Sequence, residues 1–212
     1  MANEVINAAA NQALKKQLLK GATADQKTAI KYFIPDTGCA SIFSKISDED
    51  YKKVVEAVVA SSNHYKRALD KIGLDESELQ EIPPVTLVGY DISNFSKVTA
   101  TGHYISNLYS ITHLFFSSTQ VYMYQIILNT MKNEKKERTE EYFYKDITNF
   151  STSTDTTEAF TYKGCSGTPN RVSSEVQRFS LIVPGDKFSC STNGDIEASV
   201  KAMKNKLREK KM

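Results

Sequence analysis

The chain has no tryptophan and only three cysteines among its 212 residues. The cysteines are Cys39, Cys165 and Cys190, which lie far apart and form no Cys-x-x-Cys pair. An odd number of widely spaced cysteines does not provide a disulfide framework, which is the usual support of small secreted domains. We therefore predict a reducing, cytoplasmic environment.

Long apolar runs are also missing. No stretch reaches the roughly 18 apolar residues that a membrane-spanning helix needs, so we predict no transmembrane segment. The N-terminal stretch MANEVINAAANQALKKQLLKG carries Glu4 early and Lys15 and Lys16 late. A secretory signal places its positive charge first, so we expect none here. On this interpretation the Asn-x-Ser sequons at Asn94 and Asn149 are coincidental.

The chain has no large excess of either charge. It contains 27 Lys and Arg against 25 Asp and Glu, a net charge of +2. This balance does not indicate a nucleic-acid partner. The basic residues are also not interleaved with aromatic residues on any one segment, as a single-strand binding surface requires. We predict no nucleic-acid partner.

What the chain does contain is typical of a globular protein. The hydrophobic fraction is 40% and the charged fraction 25%, and eleven tyrosines and ten phenylalanines supply material for a core. At this length the chain forms one large domain or two small ones.

Residues 1–82 show helical periodicity. Apolar residues spaced three and four apart predict helices over 3–19 and 24–33 and one continuous helix within 47–73. Ser47 is a suitable N-cap with Asp50 three residues later, and Gly73 is a suitable C-terminal stop. A short helical turn is also expected at 75–80.

The period changes to two after the proline pair in IPPV, residues 82–85, because prolines do not continue a helix and favour extended chain. Alternating apolar and polar residues then predict many short strands, typical of an antiparallel sandwich or small barrel. The predicted strands lie in 84–92, 103–118 (one long or two short), 120–128, 139–153, 158–164, 175–185 and 187–192, with a lysine-rich turn over 129–138.

A final helix is predicted after the last strand. Its apolar residues form a narrow stripe on an otherwise charged helix: Ile196, Val200, Met203 and Leu207. Thr192 as N-cap with Asp195 three residues later is expected to start the helix. One apolar stripe directly after a strand indicates a helix that packs over the sheet.

The segment EEYFYKDITNFSTST, residues 140–154, alternates aromatic, charged and hydroxyl residues. We interpret it as a wall of the sheet, with a tyrosine-lined binding groove as the alternative. Tyr142 and Tyr144 would share a face, as would Tyr122 and Tyr124, and the two sets are predicted to pair across neighbouring strands.

The three histidines match no metal-binding or catalytic spacing. His64 falls on a predicted helix, while His103 and His113 fall on strand-like segments. Contact between His103 and His113 across a sheet, together with a carboxylate, is the basis of an alternative enzyme hypothesis. We predict no catalytic residue, no cofactor and no metal ligand.

The second part of the chain resembles a bacterial pleckstrin-homology-like domain, in which about seven short antiparallel strands precede one amphipathic helix. The segments that carry the resemblance are TQVYMYQIIL, TEEYFYKDITNFSTS, RFSLIVPG and GDIEASVKAMKNKLREKK. The resemblance implies a non-enzymatic role in binding lipids, peptides or partner domains, or in self-assembly. Lipid-binding members use Lys and Arg around the first interstrand loop, where this chain offers only Lys97.

The sequence thus predicts an α+β protein with a helical region over 1–82 and a pleckstrin-homology-like β domain over 83–212, closed by an amphipathic helix. Its predicted function is binding or scaffolding, with a protein partner or self-association favoured. The alternatives are peripheral binding to anionic lipids and an enzyme with a site between the two parts. The candidate contacts to an anionic surface are Lys97, Lys132, Lys135, Lys136 and Arg138.

Overall fold

The computed structural model describes residues 8–36, 45–73, 82–163, 168–194 and 196–211. The predicted helical turn at 75–80 lies outside these ranges. The helices are α1 (Ala8–Leu19), α2 (Ala24–Phe33), α3 (Asp48–Ser61), α4 (His64–Ile72) and α5 (Glu197–Lys211). Across the described ranges, no helix is both long and apolar enough to cross a membrane.

The strands occupy the middle of the chain. They are β1 (Ile82–Tyr90), β2 (Ser96–Val98), β3 (Tyr104–Ser106), β4 (Leu108–Phe116), β5 (Gln120–Asn129), β6 (Lys135–Phe143), β7 (Asn149–Lys163), β8 (Thr168–Val183) and β9 (Asp186–Thr192). The proline pair lies in the extended first part of β1, as predicted. The predicted segment 103–118 holds two strands rather than one.

The strands form two sheets, so the α+β class is confirmed. One sheet has the order β1-β4-β5-β6 and is antiparallel, and the other has the order β3-β2-β7-β8-β9. In the second sheet β2 runs parallel to β7, so the sheets are not purely antiparallel. The sheets meet where β1 approaches the end of β9, and the Asn193 N–H donates to the Val88 carbonyl oxygen over 2.6 Å.

The main core lies between the two sheets and α5. Buried side chains of both sheets, among them Leu114, Phe150 and Phe179, pack with one stripe of the helix. That stripe consists of Val200, Met203 and Leu207, as predicted, and Ile196, directly before the helix, packs against the same core. The predicted cap is wrong: Thr192 is the last residue of β9, and α5 begins at Glu197. Strand pairing with Gln177 holds Thr192 in the sheet, which overrides its local capping preference.

The helices α2, α3 and α4 pack on the β part through two further apolar clusters. Ala68 of α4 contacts the outer face of the four-stranded sheet with Phe115 and Ile126. Residues of α2 and α3 form the other cluster with Ile105 and Met131. Both faces of the four-stranded sheet are therefore covered over β4 and β5.

The predicted helix within 47–73 is in fact two helices, so its continuity is wrong. Asn63 adopts a left-handed conformation with φ 48° between α3 and α4. The Ser61 and Ser62 hydroxyls donate to the carbonyl oxygens of Val58 and Val59, and such local bonds compete with helix continuation.

The predicted signals at the two ends of this segment are confirmed. Ser47 and Asp50 form a capping box at the start of α3, and Gly73 ends α4 with φ 73°. The prediction for 24–33 is confirmed by α2, which starts with a capping box between Thr23 and Gln26. Of the helix predicted over 3–19, the described part is α1.

The aromatic stretch 140–154 is interrupted rather than continuous. β6 ends at Phe143, a turn follows, and β7 starts at Asn149. β6 also starts at Lys135, inside the predicted turn. Tyr142 and Tyr144 are buried in the main core, but the predicted tyrosine pairing is wrong. Tyr142 lies opposite Val121, and Tyr124 lies opposite Thr139.

Tyr51 joins α3 to the sheets by a buried polar contact. Its hydroxyl donates to the Ser106 carbonyl oxygen over 2.6 Å and lies 3.1 Å from the Thr130 hydroxyl. We expect Tyr51→Phe to lower the free energy of unfolding by about 1–2 kcal/mol, because the Ser106 carbonyl oxygen and the Thr130 hydroxyl each lose a hydrogen-bond partner in a buried place. Urea denaturation measures the loss. Tyr65→Phe, at a half-exposed position, is the matched control and should change stability little.

Candidate functional site

The outer edge of β6 is the candidate binding surface. β6 is the terminal strand of the four-stranded sheet, and within the described ranges it pairs only with β5. It is nine residues long, and most of its side chains are exposed. An uncovered strand edge presents a row of N–H and C=O groups that can bond to another strand.

The turn between β5 and β6 shows which backbone groups point outward. The Asn129 N–H donates to the Glu134 carbonyl oxygen over 3.0 Å, so this pair is of the hydrogen-bonded type. Hydrogen-bonded and non-hydrogen-bonded pairs alternate along an antiparallel ladder. The backbone groups that face β5 therefore belong to Lys136, Arg138, Glu140 and Tyr142. Those that face away belong to Lys135, Glu137, Thr139, Glu141 and Phe143.

Charge is segregated along this strand. Lys135, Lys136 and Arg138 lie in its first half with one acidic residue, Glu137, and Glu140 and Glu141 lie in its second half. Arg138 pairs with Glu140 on the same face of the strand. The other Glu140 oxygen has no hydrogen-bond partner within the described part of the chain. One end of the strand is therefore mainly basic and the other end is acidic, so the edge is not a uniformly basic surface.

Glu137 fixes β6 to the body of the protein. Its carboxylate accepts two hydrogen bonds from Arg67 of α4, at 2.7 and 2.8 Å, and one from the Tyr124 hydroxyl at 2.7 Å. Lys71 adds an ion pair at 3.5 Å. Burial raises the pKa of this carboxyl, but the hydrogen bonds from Tyr124 and Arg67 and the charges of Arg67 and Lys71 outweigh burial and lower the pKa to about 2. These contacts hold the strand in place at its centre.

The structure brings together part of the predicted basic set. Lys132 and Lys135 line one polar cavity of about 510 Å³ beside α4. Lys136 and Arg138 follow on β6, while Lys132 also pairs with Glu134 at 3.6 Å. These residues surround the β5–β6 turn.

Lys97 differs from the rest of the set because it is half-buried. Its ammonium lies 3.8 Å from the centre of the Tyr32 ring. Burial lowers the pKa of Lys97 to about 8, against the nearby charge of Asp48, which raises it. Lys97 thus stabilises the contact between β2 and α2.

The histidines are not arranged as the alternative hypothesis requires. His113 Nε2 lies 2.8 Å from His64 Nδ1, and His113 Nδ1 lies 2.9 Å from the Thr86 hydroxyl. His103 is exposed and does not contact His113, so the suggested pairing is wrong. The partner is His64, which the sequence places 49 residues away on a helix. The described residues contain no group of three or more His, Cys, Asp or Glu side chains that could hold a metal ion.

His103 instead lines a polar cavity of about 1270 Å³ between the β7–β8 hairpin and the start of α5. Arg178 in its wall pairs with Asp155 at 2.9 Å. The buried hydroxyls of Ser174 and Thr192 have no hydrogen-bond partner within the described ranges. The lining carries acidic and basic groups together, which favours no one class of ligand.

Sequence reasoning identified the lysines of β6 but not the edge itself. The alternation of apolar and polar residues shows that a strand is present, but it does not show whether one or both edges are paired. Comparison of the chain with protein-family models, with curated proteins and with solved structures finds no match.

Proposed function

We propose that the chain is a non-catalytic, cytoplasmic binding or scaffolding protein, with a pleckstrin-homology-like β part and the outer edge of β6 as its docking element. The observation that carries the proposal is the row of outward-facing backbone groups between Lys135 and Phe143, with which no other strand of the described ranges pairs. An extended segment that adds to such an edge gains affinity from main-chain hydrogen bonds and specificity from alternate side chains.

The other terminal strands of the two sheets within the described ranges are less suitable. β1 is approached by the end of β9 and bonds to it through Val88. β3, at the edge of the second sheet, has only three residues. A strand of nine residues offers five outward-facing positions, which is enough for a specific contact, and Phe143 adds an exposed ring at its end.

Binding to anionic lipids is the second candidate, favoured by the exposed Lys132, Lys135 and Lys136 around one turn. Each well-placed lysine contributes up to about 1 kcal/mol near an anionic membrane. Lys97 is engaged with Tyr32, and Arg138 is paired with Glu140, which leaves a small cluster. The edge therefore has the stronger support.

The proposal predicts that Thr139→Pro abolishes docking without unfolding the protein. The Thr139 N–H faces away from β5, so proline removes a docking donor and adds steric bulk without removing a ladder bond. Decapeptides selected from a displayed library for binding to the wild-type chain provide the probe. We expect binding of the selected peptides to fall at least tenfold in the Thr139→Pro variant.

Thr139→Ala, which keeps the N–H, is the matched control and should bind the selected peptides like the wild type. Circular dichroism and thermal unfolding show whether Thr139→Pro is folded. Equal peptide binding by a folded Thr139→Pro variant would exclude β6 as the docking element.

A further inference from the structure

We propose that the strand that docks on β6 is β6 of a second copy of the chain, in antiparallel orientation. This inference rests on the proposed function and names its partner. Pairing two outer edges about a two-fold axis would join two four-stranded sheets into one continuous sheet. Such a contact closes on itself, so it yields a discrete dimer rather than a fibre.

The charge order of β6 is the main support. The strand begins with Lys135 and Lys136 and continues to Glu140 and Glu141. In an antiparallel pair of identical strands, the basic half of one copy faces the acidic half of the other. A parallel, in-register pair would instead place like charges opposite each other, which destabilises a sheet.

In one register, opposite charges face each other and the outward-facing backbone groups can form hydrogen bonds. With the two-fold axis at Arg138, Lys135 lies opposite Glu141 of the second copy and Lys136 lies opposite Glu140. Lys135 and Glu141 both direct their backbone groups outward, so they form a hydrogen-bonded pair. Lys136 and Glu140 form a closer, non-hydrogen-bonded pair. The two Arg138 side chains meet at the axis, where Glu140 of each chain already pairs with its own Arg138.

The neighbouring register is worse. With the axis at Thr139, Arg138 lies opposite Glu140, but Glu137 lies opposite Glu141 in both halves of the contact. The lysines then face the uncharged rings of Phe143 and Tyr142, so fewer opposite charges meet than with the axis at Arg138. The register at Arg138 also brings a lysine to Glu140, whose second oxygen lacks a hydrogen-bond partner within the described part of the chain. The observations therefore select the axis at Arg138.

Charged residues on an edge strand commonly prevent association with other proteins. The charges of β6 disfavour a partner strand of uniform charge and a second copy in parallel orientation. They are complementary to a second copy in antiparallel orientation. Strand pairing alone buries less surface than a standard stable interface. We therefore expect a reversible dimer that weakens as salt increases.

Charge exchange tests the pairing. One variant carries Lys135→Glu and Lys136→Glu, so both charged ends of its strand are acidic, and another carries Glu140→Lys and Glu141→Lys, so both charged ends are basic. For each variant alone, the dimer dissociation constant measured by sedimentation velocity should rise at least tenfold, because attraction at the opposed pairs becomes repulsion. An equimolar mixture of the two should form a heterodimer, and the fourfold variant should dimerise like the wild type.

The register is tested by disulfide formation. In a background with Cys39 and Cys165 replaced by serine, Arg138→Cys should cross-link to itself under mild oxidation, because non-hydrogen-bonded pairs bring the Cα atoms within disulfide range. Thr139→Cys, which lies opposite Glu137 in this register, is the control and should cross-link at least tenfold more slowly. Equal rates would overturn the register.

A monomeric wild type at all concentrations, or variants that dimerise equally well, would overturn the second-copy proposal. Retained peptide docking that depends on the Thr139 N–H would then show that the edge binds another protein, so the proposed function would stand. Absence of both dimerisation and peptide docking would reject the second-copy proposal and the proposed function together. In vesicles of anionic lipid, stronger binding by the Glu140→Lys, Glu141→Lys variant despite its loss of dimerisation would assign the lysines to the membrane instead.

Discussion

Gly89→Ala is expected to lower the free energy of unfolding by about 3 kcal/mol or more, at the upper end of the cost of overpacking. A Cβ atom at Gly89 would lie 2.5 Å from the Ser191 carbonyl oxygen and 2.7 Å from the Thr192 nitrogen. These are backbone atoms of a paired strand and cannot rotate away. The substitution would therefore push β9 from β1 and disturb the 2.6 Å hydrogen bond between Asn193 and Val88.

Gly185→Ala is the matched control. Gly185 has φ +83° in the β8–β9 turn, and a Cβ atom there would contact nothing within 4 Å. Its substitution costs only the left-handed conformation, about 1 kcal/mol. Urea denaturation followed by circular dichroism should give a much lower free energy of unfolding for Gly89→Ala than for Gly185→Ala. The reverse order would show that β1 and β9 separate easily.

The elements that the sequence predicts well are those whose signals are local. The predicted capping pair of Ser47 and Asp50 satisfies backbone donors within one turn and starts α3 where expected, and the apolar spacing over 24–33 gives the bounds of α2. The stripe from Ile196 to Leu207 is also local, because its spacing alone places it on one face of a helix. Its packing against the sheets follows from the need to bury that face.

The errors arise where distant partners decide the structure. Thr192 has a good capping side chain, but pairing with Gln177 keeps it in β9. The pairing of Tyr142 with Val121 is set by the register of the β5–β6 hairpin, which alternation does not determine. The same holds for the histidines: His113 contacts His64 because α4 packs on the outer face of the sheet.

The proposed docking edge combines both situations. Lys135, Lys136 and Arg138 are visible in the sequence as basic residues, and they were predicted as contacts to an anionic surface. The presence of Glu140 and Glu141 at the other end of the strand indicates a partner only when β6 is known to be terminal in its sheet. Strand order depends on contacts across the whole fold, so this part of the site was not accessible from periodicity.

Stability is expected to fall by about 3 kcal/mol as the pH drops from 6.5 to 4, because of His113. Burial, followed by the nearby charge of His64, lowers the pKa of His113 from 6.5 to about 4. Below pH 6.5 the unfolded chain binds a proton at this residue that the folded protein does not bind until about pH 4. The free energy of unfolding therefore decreases over this window by about 1.4 kcal/mol for each pH unit.

Two neighbouring groups also have shifted pKa values. Burial also lowers the pKa of His64, so its protonation destabilises the fold in the same direction. The pKa of Glu137 is lowered from 4.5 to about 2, so its stabilising contribution is fully present above pH 4.5 and is lost only as the pH falls toward 2. Between pH 6.5 and 4.5 the loss of stability is therefore assigned to the histidine pair.

His113→Gln separates this effect from general acid sensitivity. The variant should be less stable than the wild type at pH 7, because it loses ring contacts with Phe115 and Tyr124. Its urea midpoint should nevertheless change less between pH 6.5 and 4.5 than that of the wild type, since the contribution of His113 has been removed and only that of His64 remains. His103→Gln, at an exposed position, should keep the wild-type dependence on pH. A wild-type midpoint that is flat over this window, or a flat profile for His103→Gln, would contradict the assignment, because the buried contact of α4 with the sheet would then not be the acid-sensitive part of the fold.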